Sequence, residues 1–392
     1  MQDALREAAR IIRSGGLVSF PTETVYGLGA DATNATAVSR IYRVKRRPAE
    51  DPLIVHISSL EGMDAISGQA SPAVKELANC FWPGPLTMVL QRSGNMVVPQ
   101  VSAGRPTVAV RMPDHPVALA IIEAAGVPVA APSANRFGHV SPTCAEDVVA
   151  DLGDEVDMVI DAGPTRIGVE STVIDMTAEV PAILRPGGVT IEELRQVLPK
   201  VEYKSREVDN SPDAPGRYLR HYAPDAPMVV VDGEDRGLLY KIAQELAHKG
   251  KRVVVISGAT NLHGLRHSGR SRPGKRVVVI SGATNWEYEA TGREHMNYDD
   301  MSGGTILILD RYDATGMARN LYRMLRLADS QGADIILAGV LEETGVGVAV
   351  NDRLFRAASG RVIADDSPAA METISALATT GPHERLSQEW RY

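Results

Sequence analysis

A short apolar run, Leu17-Val18-Ser19-Phe20, empties directly into Pro21-Thr22-Glu23-Thr24-Val25-Tyr26-Gly27-Leu28-Gly29. The run reads as a strand. Before it, Leu5, Ala8, Ala9 and Ile12 recur at helical spacing, and Gly15-Gly16 closes that helix. A chain that passes from a helix through a glycine pair into a buried strand, and then into a polar turn, is building an α/β layer. Such turns are where open α/β sheets hold ligands. The alternation persists downstream. A second helix is expected from Asn34, with Val38, Ile41 and Tyr42 facing inward and Lys45-Arg46-Arg47 at its C-terminal end. Strands are expected at 53–57, 86–90, 108–111, 127–131, 158–160 and 172–174, and Thr190 with Glu193 reads as a capping box.

At 392 residues the chain exceeds the usual size of one core, so two domains are expected. Aromatic residues make up only 5% of it, which leaves Val, Ile, Leu and Ala to build the cores, a composition suited to parallel strands. The periodic pattern vanishes between Lys204 and Pro227, a stretch holding Pro212, Pro215, Pro224 and Pro227, so residues 204–227 read as a semi-rigid linker. Its middle, Pro215-Gly216-Arg217-Tyr218-Leu219-Arg220-His221-Tyr222-Ala223-Pro224, is too aromatic and basic for a passive spacer. The linker separates an α/β domain at 1–203 from a second at 228–392. In the latter, strands are expected at 228–231, 252–256, 305–309 and 334–338. Leu239, Ile242, Ala243 and Leu246 mark one helix, and Ala318, Leu321, Tyr322 and Leu325 another.

One segment occurs twice. Gly250-Lys251-Arg252-Val253-Val254-Val255-Ile256-Ser257-Gly258-Ala259-Thr260-Asn261 recurs unchanged from Gly274 to Asn285. Two copies do not make a solenoid, which needs at least three stacked units. One copy suffices for a strand, so the other is expected as an inserted loop or an added edge strand without functional effect.

The net charge of −8, with no block of like charge, argues against stable nucleic-acid binding through a broad basic face. Cys80 and Cys144 are too few and too far apart for a disulfide framework or a four-ligand zinc site, and read as buried thiols in a reducing compartment. The N-terminus does not read as a secretory signal, and no run approaches 18 apolar residues, so a soluble cytoplasmic protein is expected. No Gly-x-x-x-x-Gly-Lys-Ser/Thr loop, Gly-x-Ser-x-Gly elbow or His-Glu-x-x-His helix is present. The site must therefore work by positioning and charge neutralisation. Lys45 to Arg47 are either solvated charges at a helix C-terminus or a phosphate clamp. Arg111, closing the apolar run Thr107-Val108-Ala109-Val110, either snorkels to the rim or pairs with a carboxylate. His56 alone reads as a structural histidine, and Ser133 and Ser141 as turn serines. Glu23 and Glu170 are carboxylates that could hold Mg²⁺ or orient an amine.

Taken together, several ordered blocks resemble the YrdC-type threonylcarbamoyl-AMP synthases. They are 20–29, then Lys45-Arg46-Arg47-Pro48 with 51–56, then Thr107-Val108-Ala109-Val110-Arg111-Met112-Pro113. Ala131-Pro132-Ser133-Ala134-Asn135 with Ser141-Pro142-Thr143, Gly168-Val169-Glu170-Ser171-Thr172 and Leu184-Arg185-Pro186-Gly187 complete the set. The resemblance implies the long form: an N-terminal twisted open α/β sheet domain plus a smaller Rossmann-like α/β domain. It implies an enzyme that joins L-threonine, bicarbonate or CO₂, and ATP with Mg²⁺, releasing pyrophosphate. It assigns Thr24, His56, Arg111, the backbone at Ala131, and Ser171 to threonine. To ATP it assigns Lys45, Arg47, Asp51, Thr107, Ser133, Ser141 and Arg185, with His221 and Tyr222 from a linker folded over the site. Leu219 stands where that family usually has tyrosine. The product would pass to a separate transferase complex that modifies tRNA beside the anticodon. Two other classes remain, an RNA-binding module and a carbamoyltransferase acting on carbamoyl phosphate. The latter carries acylphosphatase, zinc or sugar-kinase-like domains, to which nothing in this sequence corresponds.

Overall fold

Period-two alternation along short strands organises the first part of the chain. The computed structural model describes residues 2–204, 218–219, 221–232, 236–258, 276–281 and 305–379. Pro215, Gly216, Arg217 and Arg220 of the linker lie outside the described residues, as do 259–261, 274–275 and 282–285 of the repeat copies. The chain forms two compact units. One gathers Met1–Tyr222 with Ala318–Tyr322 and Glu343–Asp352; the other holds Ala223–Met317, Arg323–Glu342 and Arg353–Tyr392.

The first unit opens with α1 (Gln2–Arg13), β1 (Val18–Pro21), β2 (Tyr26–Asp31), α2 (Ala35–Lys45), β3 (Ile54–His56), α3 (Leu60–Ser67) and α4 (Pro72–Phe81). It continues through β4 (Leu86–Gln91), β5 (Thr107–Arg111), α5 (Pro116–Ala125), β6 (Val129–Ala130), α6 (Ala145–Leu152) and β7 (Met158–Val159). It then adds β8 (Thr172–Asp175), β9 (Ala182–Arg185), α7 (Ile191–Val197) and β10 (Glu202–Tyr203). The ten strands make one sheet in the order β10-β9-β8-β4-β5-β3-β6-β2-β1-β7. The parallel sheet expected from composition is corrected here. β1 runs antiparallel to β2, β2 and β3 antiparallel to β6, β4 to β5, and β8 to β9, so the sheet is mixed. The polar segment after β1 is a tight connection between antiparallel neighbours. Further along the pair, Gly29 leaves room for the Phe20 ring, since a Cβ there would come within 2.5 Å of it.

Helix ends follow local rules. Asn34 caps α2 by accepting from the N–H groups of Thr36 and Ala37, and Thr190 with Glu193 forms the reciprocal capping box of α7. The main core lies on one sheet face, where Val55, Met88, Leu90, Val108, Val110, Ile174 and Ile183 pack beneath α2, α3 and α4. Residues of opposite parity, Ile54, Val89, Ala109, Val173 and Leu184, form a small apolar patch of their own. The expected burial of both thiols is also corrected. Cys80 is exposed, because it falls between the inward residues Leu77 and Ala78 and the next turn of α4, and Cys144 is half-buried.

The second unit contains β11 (Met228–Val231), α8 (Arg236–His248), β12 (Arg252–Gly258), β13 (Arg276–Ser281) and β14 (Thr305–Tyr312). After these come α9 (Ala314–Ser330), β15 (Ile335–Gly339), α10 (Gly347–Ala357), β16 (Val362–Ile363) and α11 (Pro368–Leu377), with α9 and α10 contributing residues to both units. Its sheet is parallel throughout, in the order β13-β14-β12-β15-β11-β16, as the apolar strand sequences imply. Val229, Val231, Val253, Val255, Ile335 and Leu337 pack against Leu239, Ile242 and Leu246 of α8 and Met371 and Ile374 of α11. Both repeat copies are strands, and they flank β14 in the same register. Arg252 and Arg276 each pair with Thr305, and Val253 and Val277 each with Ile306. The second copy is the added edge strand. No helix among the described residues is long and apolar enough to cross a membrane.

Deleting residues 250–273 joins Lys249 to Gly274 and regenerates the original Gly-Lys-Arg junction ahead of a single copy. That copy already pairs with β14 in the required register, so the variant should fold with its thermal midpoint within a few degrees of the parent. Calorimetry showing loss of the cooperative transition would mean that both copies are needed.

Candidate functional site

A strand that buries alternate side chains beneath one sheet face presents the rest to the other. On β3, Val55 enters the core while Ile54 and His56 face a cleft, and on β5 Val110 enters the core while Arg111 faces the cleft. His56 and Arg111 are direct partners across the parallel pair β3–β5, so their side chains lie together. Both side chains form part of the wall of this cleft. The β1–β2 connection (Thr22, Thr24), the segment after β6 (Ala131, Pro132, Ser133), Glu170 and Ser171 before β8, and Arg185 at the end of β9 also line it, as do His221 and Tyr222.

Arg111 is only 4% exposed and is held from three sides. Glu23 Oε1 lies 2.7 Å from its Nη2, which also donates to Thr24 Oγ1 at 3.0 Å, while Nε donates to the Gly84 carbonyl. The Thr24 hydroxyl is fixed in turn against Thr22 Oγ1 at 2.8 Å. Burial, reinforced by the Arg111 charge, pushes His56 down to about 3, so its imidazole is neutral throughout the physiological range. Ser171 Oγ shares a hydrogen bond with Thr87 Oγ1 at 2.7 Å and accepts one from Arg185 Nη2 at 3.2 Å. Gly187 makes room for this packing. A Cβ there would meet the Glu170 carbonyl oxygen and Thr172 nitrogen at 2.4 Å.

The basic triplet is split by one backbone angle. Arg46 ends α2 at φ 53°, which turns its own side chain to solvent while Lys45 and Arg47 point inward at 1% and 8% exposure. Lys45 Nζ donates to the carbonyls of Ser133 and Asn135 at 2.6 and 2.5 Å, stitching the segment after β6 to the end of α2. Burial, with Arg47 nearby, lowers the Lys45 pKa well below its ordinary value. Arg47 pairs with Asp51 Oδ2 at 2.8 Å and donates to the Pro52 carbonyl. Asp51 is fully buried, and desolvation raises it to about 6 against the pull of Arg47. Phe137 lies under the Arg47 guanidinium at 5.9 Å and meets Tyr218 and His221 edge-on at 5.4 and 5.6 Å. Glu170 accepts from Ser141 Oγ at 2.6 Å and from the Tyr322 hydroxyl at 2.7 Å.

A cleft whose described lining brings together three guanidinium groups, several hydroxyls, a neutral imidazole and a single carboxylate suits a ligand that carries anionic groups. Comparison with known proteins agrees. Residues 10–187 match the family model described as "Telomere recombination", and residues 189–359 match "Threonylcarbamoyl-AMP synthase, C-terminal domain". The threonylcarbamoyl-AMP synthase of Bacillus subtilis (strain 168) is 39% identical, covering 92% of this chain and 94% of its own length. That of Pyrococcus abyssi is 42% identical, covering 92% and 95%. The chain belongs to the threonylcarbamoyl-AMP synthases. A crystal structure of P. abyssi Sua5 complexed with L-threonine superposes with a TM-score of 0.77 at 40% identity, over 92% of this chain and 96% of that one.

Against the residues expected from resemblance to this synthase family, the cleft gathers Thr24, His56, Arg111, Ala131 and Ser171, together with Arg47, Ser133, Arg185, His221 and Tyr222. Four lie outside its lining. Lys45 and Asp51 sit behind the wall, where they hold the 133–135 segment and Arg47, and Ser141 reaches the cleft through Glu170. Thr107 stands at the far end of β5 from Arg111. Sequence reasoning missed Thr22, Thr87, Phe137 and the cleft role of Tyr322. Thr22 was legible from its place two residues before Thr24. Tyr322 gave no such signal, because it lies 152 residues from Glu170 and shares the spacing of an ordinary core helix.

The neutral His56 fixes a pH signature. Unfolded histidine titrates near 6.5, so below that pH the unfolded chain takes up a proton that folded His56 refuses down to about 3, and stability falls on acidification. Asp51 acts oppositely between its ordinary 3.8 and about 6, where the folded state holds the extra proton. Removing only the first contribution, His56→Gln should gain stability relative to the parent by about 1.4 kcal/mol per pH unit as pH falls from 6.5 toward 4. Urea denaturation at three pH values would test this. A pH-independent difference would show that His56 is protonated in the fold.

Proposed function

We infer that this chain makes threonylcarbamoyl-AMP from L-threonine, bicarbonate and ATP, releasing pyrophosphate. The observation that carries the reading is Arg111, a nearly buried guanidinium flanked by the Thr24 hydroxyl and the neutral His56, in a cleft that also contains Arg47 and Arg185. The threonine carboxylate takes Arg111, sharing it with Glu23. The substrate hydroxyl has His56 and Ser171 as partners, and neither carries charge to repel the ammonium. A P. abyssi relative was crystallised with L-threonine, which supports this half of the reading.

The triphosphate belongs with Arg47 and Arg185, whose planar groups offer paired hydrogen bonds to phosphate oxygens. Asp51 keeps Arg47 extended, and Lys45 holds the loop bearing Ser133, so both act on ATP through the wall of the site. Mg²⁺ arrives with ATP. Among the described residues there is no cluster of three His, Cys, Asp or Glu side chains that could hold a metal. The donor set therefore suits an ion carried on phosphate oxygens and water, with Glu170 as the one carboxylate within the lining. When bound, the ion neutralises charge on the phosphates. The protein excludes water from a labile product, and His221, edge-on to Phe137, and Tyr222, packed against His221, line that side of the cleft. We further propose that the chain works in the cytoplasm and hands its product to a separate transferase that modifies tRNA beside the anticodon.

Pyrophosphate release from ATP should require both threonine and bicarbonate. Release that ignores either one overturns the reading. Arg111→Ala removes a charge-assisted contact worth roughly 1.5–3 kcal/mol, so the threonine Kd should rise about 10- to 150-fold in calorimetric titration. Arg47→Ala should weaken a non-hydrolysable ATP analogue and leave threonine nearly unaffected. Equal losses for both ligands would place Arg47 in the fold rather than on the nucleotide.

A further inference from the structure

Two pairs of hydroxyls stand in or against the cleft wall, Thr22 with Thr24 and Thr87 with Ser171, and all four residues are at most 2% exposed. A hydroxyl has one proton and two lone pairs, so its contacts decide what it can still offer a ligand. Thr22 Oγ1 lies 2.7 Å from the Val25 carbonyl oxygen and 2.8 Å from Thr24 Oγ1. Two oxygens that close need a proton between them, and a carbonyl has none to give. The Thr22 proton therefore goes to Val25, and the Thr24 proton goes to Thr22. The backbone N–H groups of Thr24 and Val25 share the Thr22 oxygen at 3.2 and 3.3 Å, which pins it in place. Thr24 also accepts from Arg111 Nη2. It is left with one lone pair and no proton, so toward a ligand it can only accept. The second pair has the opposite polarity. Thr87, on β4 and outside the lining, has Ser171 Oγ as its one hydroxyl partner among the described residues, at 2.7 Å. Its buried proton is satisfied only by donating there. Ser171 Oγ accepts a second hydrogen bond from Arg185 Nη2. With both lone pairs taken, Ser171 keeps its own proton, and it lines the cleft. Toward a ligand it can only donate.

We propose that Thr22 and Thr87 are positioning residues that set the polarity of the amino-acid pocket, fixing Thr24 as an acceptor for the substrate ammonium and Ser171 as a donor to the substrate hydroxyl. The proposal rests on the threonine reading of the cleft, in which Arg111 takes the carboxylate. Carboxylate and ammonium sit on the same carbon of an α-amino acid, so an acceptor bonded to Arg111 is placed to meet the ammonium. The hydroxyl, one carbon further on, is left for Ser171. A freely rotating hydroxyl serves donors and acceptors alike, whereas a locked one also rejects. Thr24 offers no hydrogen bond to a second anionic oxygen. Ser171 is left with a buried, unpaired proton by any side chain that lacks an oxygen at that point, and valine, which matches threonine in shape, is such a side chain. Neither Thr22 nor Thr87 needs to touch the substrate to impose this choice.

Three ligands separate the two arms: L-threonine, L-2-aminobutyrate, which lacks the hydroxyl, and (R)-3-hydroxybutanoate, which lacks the amine. Calorimetric titration gives the affinities, with displacement of L-threonine for the weaker ligands. Thr22→Val frees the Thr24 proton. It should weaken L-threonine and L-2-aminobutyrate alike, by about 2- to 12-fold, and leave (R)-3-hydroxybutanoate unchanged. Thr87→Val removes the donor that saturates Ser171. It should weaken L-threonine and (R)-3-hydroxybutanoate by a similar factor and leave L-2-aminobutyrate unchanged. Thr22→Ser and Thr87→Ser keep the hydroxyl and should restore the parental ratios. A merely structural role would weaken all three ligands together. Thr24→Val and Ser171→Ala remove the ligand-facing hydroxyls themselves and must repeat the crossed pattern, which decides the matter even where a first variant does not fold. Parallel loss of all three ligands, or ratios that do not move, overturns the polarity assignment and leaves the threonine reading standing. A parent that does not bind L-threonine overturns that reading, and the proposal with it.

Discussion

A strand must choose which face to bury, and in the first unit that choice creates the site. Val55, Val108 and Val110 commit one parity of β3 and β5 to the core. The other parity, Ile54, His56, Ala109 and Arg111, is left on the opposite face, where Ile54 and Ala109 belong to a small apolar patch while a larger cluster with α1 and α5 gathers around β1 and β6. Polar side chains can occupy the β3–β5 stretch of that face because neither core extends over it. Shifting either strand by one residue would exchange the two sets, putting Arg111 into the core and Val110 into the cleft. The register is therefore fixed by hydrophobic burial, and the geometry of the cleft follows from it.

The second recurring device is the buried cation with a prescribed partner. Arg111 has Glu23, and Arg47 has Asp51. Such pairs contribute little net stability, because desolvating the charges costs as much as their attraction returns. What they provide is direction. Each guanidinium is held ready in a fixed orientation, so a ligand does not have to order a long flexible side chain on binding. Lys45 gives the backbone a similar tie, with one buried amino group holding two carbonyls of the 133–135 segment to the end of a helix.

Much of this was legible in the sequence wherever the governing interaction is local. Asn34, the Thr190–Glu193 box and the inward helix faces could be read because their partners lie within four residues. Tyr26–Asp31 could not be read as a strand. Gly27 and Gly29 lower its apparent β-propensity, and the reason for Gly29, the neighbouring Phe20 ring, exists only after folding. The site residues could be named from the resemblance, but sequence could not separate those lining the cleft from those behind its wall. Lys45, Arg46 and Arg47 are adjacent and chemically alike, and a single left-handed residue decides which one meets solvent. Tyr322 is the extreme case, an apparent core position whose hydroxyl meets a carboxylate 152 residues away.

The duplicated strand makes the second sheet redundant. A substitution in either copy of Arg-Val-Val-Val-Ile leaves an unaltered duplicate hydrogen-bonded in the same register to the same neighbour, β14. During folding, β14 meets two identical candidates for one flank, and local pairing alone cannot rank them. Only β15, which pairs with the first copy, distinguishes inner from outer. The order of the sheet is thus settled by a strand that lies outside the repeat.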